Sequence, residues 1–172
     1  DPELDVRSTV RSIVDEVKRR FGDVALPAIM LEPGRSIVAD AGLTVYTCTS
    51  VKNAGKTSYV AVDGGMPDNP RFALYEASYK VRNVTRAAEE GTRLYTIAGR
   101  CCESGDLIQK NVSLPETKRG DFIAVETTGA YNYSMASNYN RLPRPAVIML
   151  DKNEEHIVVR RETFGDILDN DL

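Results

Sequence analysis

The chain of 172 residues is long enough to enclose one substantial hydrophobic core or two small ones. Its composition, 42% hydrophobic and 27% charged, is typical of a globular protein. Its net charge of -3 argues against a nucleic-acid-binding function, because proteins that follow phosphates concentrate Lys and Arg, and no apolar run approaches the roughly 20 residues that a membrane-spanning helix needs.

Two features of the sequence bear on the cellular compartment. The first residues, "DPELDVRSTV", have neither a basic flank nor an apolar stretch, so they do not resemble a signal peptide. The three cysteines, an odd number, do not form the framework of a small disulfide-rich secreted protein. The sequence therefore predicts a cytoplasmic protein.

The first predicted element is an amphipathic helix over Leu4 to Phe21, ended by Gly22 and Asp23. Apolar residues recur along it in steps of three and four, which is the spacing of one helix face. These residues are Val6, Val10, Ile13, Val14, Val17 and Phe21.

The next stretch, "LPAIMLEPGRSIVADAG", predicts a short strand, a turn and a helix. Ala28 to Leu31 form an apolar run typical of a buried strand, Pro33-Gly34 is a turn signal, and Ser36 to Ala41 fit one or two helical turns. This order of elements is typical of α/β architecture.

The pattern changes after Gly42 to runs of β-branched and aromatic residues separated by turn signals. These runs predict a mainly antiparallel sheet that extends to about Thr163 and forms a small barrel or sandwich. The last residues, "GDILDNDL", predict a short terminal helix. The runs are "LTVYTCTSVK", "TSYVAVDGG", "TRLYTIAG", "GDFIAVETTG", "PAVIMLD" and "HIVVRRET".

The two parts of the chain differ in whether they can form a core. One amphipathic helix and one buried strand cannot cover their own apolar faces, since such a strand needs neighbours on both sides. We therefore expect residues 1–43 to be the end of a larger unit and residues 44–172 to form a separate β domain.

The stretch "LEPGRS" predicts an anion site at the start of the second helix. The acid Glu32, the turn at Gly34 and the cation Arg35 precede a helix N-terminus, where backbone N–H groups can bind phosphate. A Pro-Gly turn before a helix is common without any ligand, so a purely structural role also fits.

Two further polar stretches are candidate binding surfaces. In "VDGGMPDNPRFALY" a loop ends at Arg71, with Tyr75 four residues later, although an arginine there can also be merely solvated. In "GAYNYSMASNYNRLPRP" the density of Tyr, Ser and Asn, beginning at Tyr131, is unusual for a core strand and indicates a surface that forms hydrogen bonds.

The stretch "AGRCCESGD" allows four interpretations: a redox pair, part of a metal site, an ordinary turn or an active-site loop. Adjacent cysteines bridge each other only with strain, so Cys101 and Cys102 are interpreted as free thiols. His156, the only histidine, has no ligand partner at metal-site spacing and is interpreted as an exposed hairpin residue, so no metal site is predicted. A turn and an active-site loop stay open.

These four motifs, in the order in which they occur along the chain, resemble the C-terminal portion of the diaminopimelate decarboxylase family from about Leu31 to Phe164. The family consists of fold-type III pyridoxal-phosphate enzymes, which combine a (β/α)8 barrel with a C-terminal β domain. The resemblance implies a β-barrel or sandwich of the alanine racemase-like type over residues 44–172. It also implies that residues 1–43 are the helix-strand-helix end of the barrel.

The resemblance also implies what this sequence lacks. The family's cofactor lysine lies early in the barrel, in a strand similar to "YAVKAN", and no such stretch occurs in the sequence. A (β/α)8 barrel takes roughly 250 residues. The chain is therefore expected to be a C-terminal part that is inactive alone.

Four residues are implied to bind the cofactor, pyridoxal 5'-phosphate. Glu32 is expected to pair with the pyridinium nitrogen, where a carboxylate strengthens the ring as an electron sink. Gly34 and Arg35 are expected to bind the phosphate, and Tyr131 to hydrogen-bond it beside the substrate.

The implied substrate, meso-2,6-diaminopimelate, carries a second amino-acid head far from the reacting carbon. Arg35 and Arg71 fit its carboxylate, because guanidinium binds carboxylate with two hydrogen bonds. Glu103 fits its ammonium, and Tyr75 and Tyr131 add hydroxyl groups.

The remaining implied roles concern the reaction and the assembly. Cys102 corresponds to the family's cysteine and is expected to return a proton to the α-carbon after CO2 leaves. The family's active site is shared across a homodimer, so the loop of Cys102 is expected to serve the partner's barrel.

Two other functions are carried as alternatives. One is a related decarboxylase of ornithine, arginine or lysine, although such relatives tend to have an aspartate where Glu103 stands. The other is a non-catalytic binding or dimerisation module, which fits a chain that lacks the cofactor lysine.

Overall fold

The computed structural model describes residues 5–22 and 27–172. Within the chain, two compact units are distinguished, Asp1–Ile37 and Val38–Leu172. The sequence predicted the division after residue 43. That the first part is the end of a barrel stays a prediction.

In the first unit, helix α1 (Val6–Phe21) agrees with the amphipathic helix predicted from the sequence. The side chain of Asp5 caps its start by accepting the Ser8 N–H at 3.1 Å. Gly22, with φ of 60°, ends it as predicted, and its N–H donates to Lys18 O at 2.9 Å. Leu4 and Asp23, named in the same prediction, lie outside the described residues.

The predicted buried strand at Ala28 to Leu31 is not found. The structure has no regular secondary structure there, and Met30 is 89% exposed. A buried strand requires hydrogen-bonding partners on both sides, and no described residue pairs with this segment. The helical turns that follow are confirmed as α2 (Arg35–Val38) and a 3₁₀ turn at Ala39–Ala41.

In the second unit, a six-stranded sheet has the order β3-β6-β1-β2-β4-β5. Four of its strands were predicted from the sequence, and β3 and β5 were not. The strands are β1 (Leu43–Ala54), β2 (Thr57–Val62), β3 (Val81–Asn83), β4 (Arg93–Ala98), β5 (Leu107–Leu114) and β6 (Phe122–Glu126).

Strand β1 organises the sheet because it pairs with β6 along its first half and with β2 along its second. All pairs are antiparallel except β2 with β4, which is parallel. The edge strands β3 and β5 lie against each other, and the Tyr79 N–H donates to the side chain of Gln109 at 2.8 Å. The predicted barrel-like, mainly antiparallel sheet is confirmed.

The core of the second unit comes from side chains on the inner face of this sheet. On β2, for example, every second residue is buried, as the alternation of a half-buried strand requires. The buried set is Tyr46, Cys48, Val60, Val62, Tyr79, Val81, Tyr95, Ile97, Ile108, Val112, Leu114, Ile123 and Val125.

Two short helices lie in the connections between strands and hold the candidate site residues. Helix α3 (Arg71–Tyr75) follows the loop after β2, and α4 (Asn132–Met135) follows the loop after β6. A 3₁₀ turn at Tyr139–Arg141 comes after α4. The sequence predicted the loop that ends at Arg71, but none of these three helical turns.

The C-terminal region contains a hairpin of β7 (Val147–Asp151) and β8 (Glu154–Val159). Its turn residues Lys152 and Asn153 both have positive φ, the conformation of a tight two-residue hairpin. His156 is exposed on β8, as expected. The predicted terminal helix is α5 (Phe164–Leu168), which Thr163 caps together with Asp166.

Candidate active site

The guanidinium of Arg71 lies between two tyrosine rings. Arg71 and Tyr75 are four residues apart on α3 and therefore share one face of the helix. The Arg71 guanidinium carbon is 5.6 Å from the centre of the Tyr75 ring and 5.3 Å from that of Tyr131. Both distances are within the range of cation–π contacts, which hold the side chain in place.

The backbone of Tyr131 has a left-handed conformation, with φ of 69°, directly before α4. Such a conformation is uncommon for a bulky residue and persists only where the surroundings impose it. The preceding backbone is fixed by Gly129 N–H donating to Ala39 O at 2.9 Å and Thr128 N–H donating to Gly42 O at 3.0 Å. The ring of Tyr131 is thereby directed to Arg71.

These side chains line an open cavity of about 290 Å³. Its lining consists of Arg71, Tyr75, Tyr131 and Met135. The Nε of Arg71 is buried without a hydrogen-bond partner among the described residues. A cation held by two rings beside an open space is suited to bind an anion such as a carboxylate.

Asp68 fixes the loop that leads to Arg71. Its carboxylate accepts the Gly65 N–H at 2.9 Å and the hydroxyl of the buried Tyr46. Burial raises the pKa of Asp68 to about 6, and the Tyr46 hydrogen bond opposes this shift only in part. Burial, followed by the charge of Asp68, raises the pKa of Tyr46, so the phenol stays the donor.

The stretch "AGRCCESGD" forms the loop between β4 and β5. Cys102 and Glu103 are both exposed on it. Glu103 accepts a hydrogen bond from the hydroxyl of Tyr139, and this acceptor raises the pKa of Tyr139. Neither Cys102 nor Glu103 lines the cavity at Arg71.

Cys101 has different surroundings from its neighbour. It is half-buried, and burial followed by the charge of Asp106 raises the pKa of its thiol. Its N–H donates to the Asp106 carboxylate at 2.7 Å. These contacts favour a packing role for Cys101.

The structure brings together some of the residues that the sequence singled out. Arg71, Tyr75 and Tyr131 form one cluster in the second unit. Glu32, Gly34 and Arg35 belong to the first unit, where Glu32 and Gly34 are exposed and Arg35 is half-buried at the start of α2. The roles of all the predicted site residues stay predictions.

Two residues of the region were missed as candidates in the sequence. Tyr139 lay within the quoted tyrosine-rich run but received no role, although it is the partner of Glu103. Asp106 ends the cysteine stretch and is 2% exposed, which an aspartate tolerates only with hydrogen-bond partners. Nothing in the sequence indicated that an aspartate after a Ser-Gly turn would be buried.

Residues 5–22 and 27–172 contain no group of three or more His, Cys, Asp or Glu side chains placed to hold a metal ion. In the same ranges, no helix combines the length and apolar character needed to cross a membrane.

A family model described as "Pyridoxal-dependent decarboxylase, C-terminal sheet domain" matches residues 12–129, more than half of the chain. Among curated proteins, the diaminopimelate decarboxylase of Bacillus subtilis (strain 168) is 50% identical over 176 residues. This match covers 100% of the chain and 40% of the relative.

Solved structures show the same similarity. A diaminopimelate decarboxylase from M. jannaschii, solved with L-lysine, has a TM-score of 0.83 at 33% identity and matches 98% of this chain and 38% of its own. A lysine/ornithine decarboxylase from Vibrio vulnificus, solved with putrescine, has a TM-score of 0.58 at 25% identity and covers 66% of this chain and 30% of its own. The chain thus spans about two fifths of the length of the relatives it matches over nearly its whole length.

Proposed function

The chain belongs to the pyridoxal-dependent decarboxylases, whose C-terminal sheet domain it contains, and we propose that it is the C-terminal part of a diaminopimelate decarboxylase. The reaction converts meso-2,6-diaminopimelate to L-lysine and CO2, a step of lysine biosynthesis. The observation that carries this proposal is the Arg71 guanidinium, held between Tyr75 and Tyr131 beside an open cavity.

Arg71 supplies what the far end of the substrate requires. That end carries a carboxylate, and a guanidinium oriented by two rings can form paired hydrogen bonds to it. Tyr75 and Tyr131 add hydroxyl groups, and Arg35 adds a second cation. A substrate that ends in a bare amine, such as ornithine, gives a cation at this place nothing to bind.

Glu103 supplies the complementary charge for the substrate's distal ammonium. It is exposed on the β4–β5 loop, and the Tyr139 hydroxyl donates to its carboxylate. A carboxylate with two oxygens can accept from a tyrosine and from an ammonium at once. Together, a cation and an acid select a group that is itself an amino acid.

Four residues would hold pyridoxal phosphate: Glu32, Gly34, Arg35 and Tyr131. Tyr131 fits this group, since it is 44% exposed and lines the cavity beside the cation Arg71. When bound, the cofactor supplies an electron sink for the charge left at the α-carbon. The thiol of Cys102 then returns a proton to that carbon, and its exposed position leaves it able to reach a substrate.

The active enzyme is a cytoplasmic homodimer in this proposal. Cys102 and Glu103 do not line the cavity at Arg71, which favours their acting in a site completed by the second subunit. The chain alone is inactive, because its sequence has no counterpart of the strand with the cofactor lysine. Mixed with pyridoxal phosphate and reduced with borohydride, it should not be labelled at a specific lysine.

The related ornithine or lysine decarboxylase is the second candidate. It is favoured by the Vibrio vulnificus structure, which shares the fold but covers only 66% of the chain. The M. jannaschii diaminopimelate decarboxylase covers 98%. Glu103 and Arg71 also suit the larger substrate, so the first candidate is preferred.

The test uses a complete decarboxylase in which the 172 residues replace the matching C-terminal part of the Bacillus subtilis relative, called the complete enzyme below. With pyridoxal phosphate, CO2 release is measured from meso-diaminopimelate, L-ornithine and L-lysine. We expect kcat/KM for meso-diaminopimelate to exceed the others by at least about 100-fold, because unpaired charged groups reject the wrong substrate. A preference for ornithine or lysine supports the second candidate, and no decarboxylation of any substrate supports the binding module.

The variant Arg71→Lys tests the proposed role of Arg71 in binding the substrate's distal carboxylate. A lysine keeps the charge but loses the paired hydrogen bonds and the ring contacts, so KM for meso-diaminopimelate should rise by about 10- to 100-fold with little change in kcat. Arg119→Lys, in the exposed turn between β5 and β6, is the control and should leave both constants unchanged. An unchanged KM in Arg71→Lys contradicts the assigned role.

A further inference from the structure

Two loops of the second unit carry the residues to which the proposed function assigns the chemistry. The first loop, residues 63–70, joins β2 to α3 and ends at Arg71. The second loop, residues 99–106, joins β4 to β5 and carries Cys102 and Glu103. How these loops are held together determines the positions of the side chains at their tips.

The carboxylate of Asp106 connects the two loops. Its Oδ1 accepts the Met66 N–H of the first loop at 2.7 Å, and its Oδ2 accepts the Cys101 N–H of the second loop at 2.7 Å. Each oxygen thus serves one loop. Both bonds have a charged acceptor, a type about twice as strong as neutral hydrogen bonds.

Neighbouring backbone contacts strengthen the connection. The Arg100 N–H donates to Gly64 O at 3.0 Å, which joins the loops directly, and the Gly99 N–H donates to Asp106 O at 2.8 Å. Asp106 itself is 2% exposed, so water does not replace these bonds.

The space for this carboxylate exists because both loops have a glycine beside it. A Cβ at Gly65 would lie 2.4 Å from Oδ1 of Asp106, and a Cβ at Gly99 would lie 2.2 Å from the same atom. Any side chain at either position would therefore displace the carboxylate. Gly65 also has a φ of +149°, which favours glycine.

We propose that Asp106 is a positioning residue, whose buried carboxylate fixes the loop of Cys102 and Glu103 to the loop that leads to Arg71. This inference rests on the proposed function for the roles of those side chains. Asp106 touches neither substrate nor cofactor in this proposal. It acts by holding each loop in place for the site that the loop serves, since a displacement of about 1 Å can cost a hundredfold in rate.

The sharpest variant is Asp106→Asn, which keeps the shape of the side chain. Both carboxylate oxygens accept from backbone N–H groups, and an amide can offer only one acceptor oxygen. The NH2 group of the asparagine would then face either the Met66 or the Cys101 N–H, which is also a donor, so one loop loses its hydrogen bond. In the complete enzyme we expect kcat to fall by at least about tenfold, with KM for pyridoxal phosphate changed less than about threefold.

The control variant is Asp63→Asn in the first loop. Asp63 is exposed, and its carboxylate accepts the Thr47 N–H through Oδ1 at 2.8 Å, a bond that an asparagine can keep. Its kcat and KM should match those of the unsubstituted enzyme. An equal loss of kcat in both variants overturns the specific role of Asp106.

A double-mutant comparison distinguishes positioning from a general loss of structure. If Asp106 acts through Cys102, Asp106→Asn should lower kcat far less in a Cys102→Ala background than in the unsubstituted enzyme. A general loss of structure lowers kcat by the same factor in both backgrounds, and that result overturns the proposal.

A second measurement does not depend on activity. Hydrogen exchange is followed in peptides covering residues 63–70 and 99–106 of Asp106→Ala, or of Asp106→Asn if the alanine variant does not fold. Faster exchange in both peptides, with other strands unchanged, supports the connection, and unchanged exchange in the first loop overturns it. If the unsubstituted complete enzyme decarboxylates nothing, the proposed function fails while this measurement still tests Asp106.

Discussion

Cys101 and Cys102 are adjacent in the chain but differ in their surroundings. Cys102 is exposed, whereas burial and the charge of Asp106 raise the pKa of Cys101. A general acid works best when its pKa lies near the working pH, so a raised pKa makes Cys101 the poorer donor. This difference supports Cys102 as the residue that returns the proton.

The corresponding prediction concerns alanine variants in the complete enzyme. Cys102→Ala should lower kcat by about 100-fold or more, the usual contribution of a positioned acid, with KM for substrate nearly unchanged. Cys101→Ala is the matched control and should change kcat less than about threefold. Steady-state CO2 release checks both. A large loss of kcat in Cys101→Ala alone would place the assignment one residue too late.

The carboxyl group of Asp68 holds its proton to a higher pH than an ordinary aspartate, because burial raises its pKa to about 6. In the unfolded chain the group ionises near its ordinary pKa of 3.8, and in the folded chain near 6. The folded state therefore binds the proton more tightly. Its contribution to stability is complete below about pH 4 and is lost as the pH rises through about 6.

This behaviour predicts a pH-dependent effect of Asp68→Asn. Between pH 4 and pH 7 the free energy of unfolding of the unsubstituted chain should fall relative to that of the variant, by up to about 3 kcal/mol. Urea unfolding followed by circular dichroism measures the difference at each pH. Asp63→Asn, at an exposed aspartate of the same loop, is the control, and parallel curves for Asp68→Asn and the unsubstituted chain would contradict the prediction.

At the scale of elements, the sequence predicted those strands whose apolar residues form continuous β-branched runs. Strand β5 was missed because polar residues interrupt its pattern, and Asn111 has a φ of 56°, which breaks the alternation. Strand β3 was missed because three residues are too few for a periodic signal. Strand β3 gains its structure from pairing with β6, which is distant in sequence, and β5 from pairing with the preceding strand β4.

The candidate site residues, too, could be predicted from the sequence only in part. The cation and hydroxyl groups at Arg71, Tyr75 and Tyr131 could be predicted as candidates because their residue types suit an anionic ligand. Their contact could not be predicted, because Arg71 on α3 and Tyr131, directly before α4, are brought together only by the fold of the sheet. The connection made by Asp106 depends on two loops that are 40 residues apart at Met66 and Asp106. A local pattern contains no information on such a pair.

At the scale of the whole molecule, the two units carry different parts of the proposed site. Glu32, Gly34 and Arg35 belong to the first unit, and Cys102 belongs to the second. In the proposed homodimer, the first unit holds cofactor in its own subunit, whereas the loop of Cys102 serves the partner. A two-fold interface makes this exchange reciprocal, so each site combines both subunits.

This arrangement predicts complementation between two inactive variants of the complete enzyme. In a mixed dimer of Glu32→Ala and Cys102→Ala subunits, one site receives both substitutions and the other receives neither. Differently tagged subunits allow the mixed dimer to be purified, and its CO2 release should be about half that of the unsubstituted dimer. Each variant homodimer, carrying the same tags, is the control and should be nearly inactive.

The outcome separates the two possible geometries of the site. If Cys102 served its own subunit, every site of the mixed dimer would carry one substitution, because each subunit would keep its own defect. The mixed dimer would then be no more active than the two homodimers. Activity near half of the unsubstituted level therefore requires that the cysteine loop of one subunit complete the site of the other, as the exposed position of Cys102 favours.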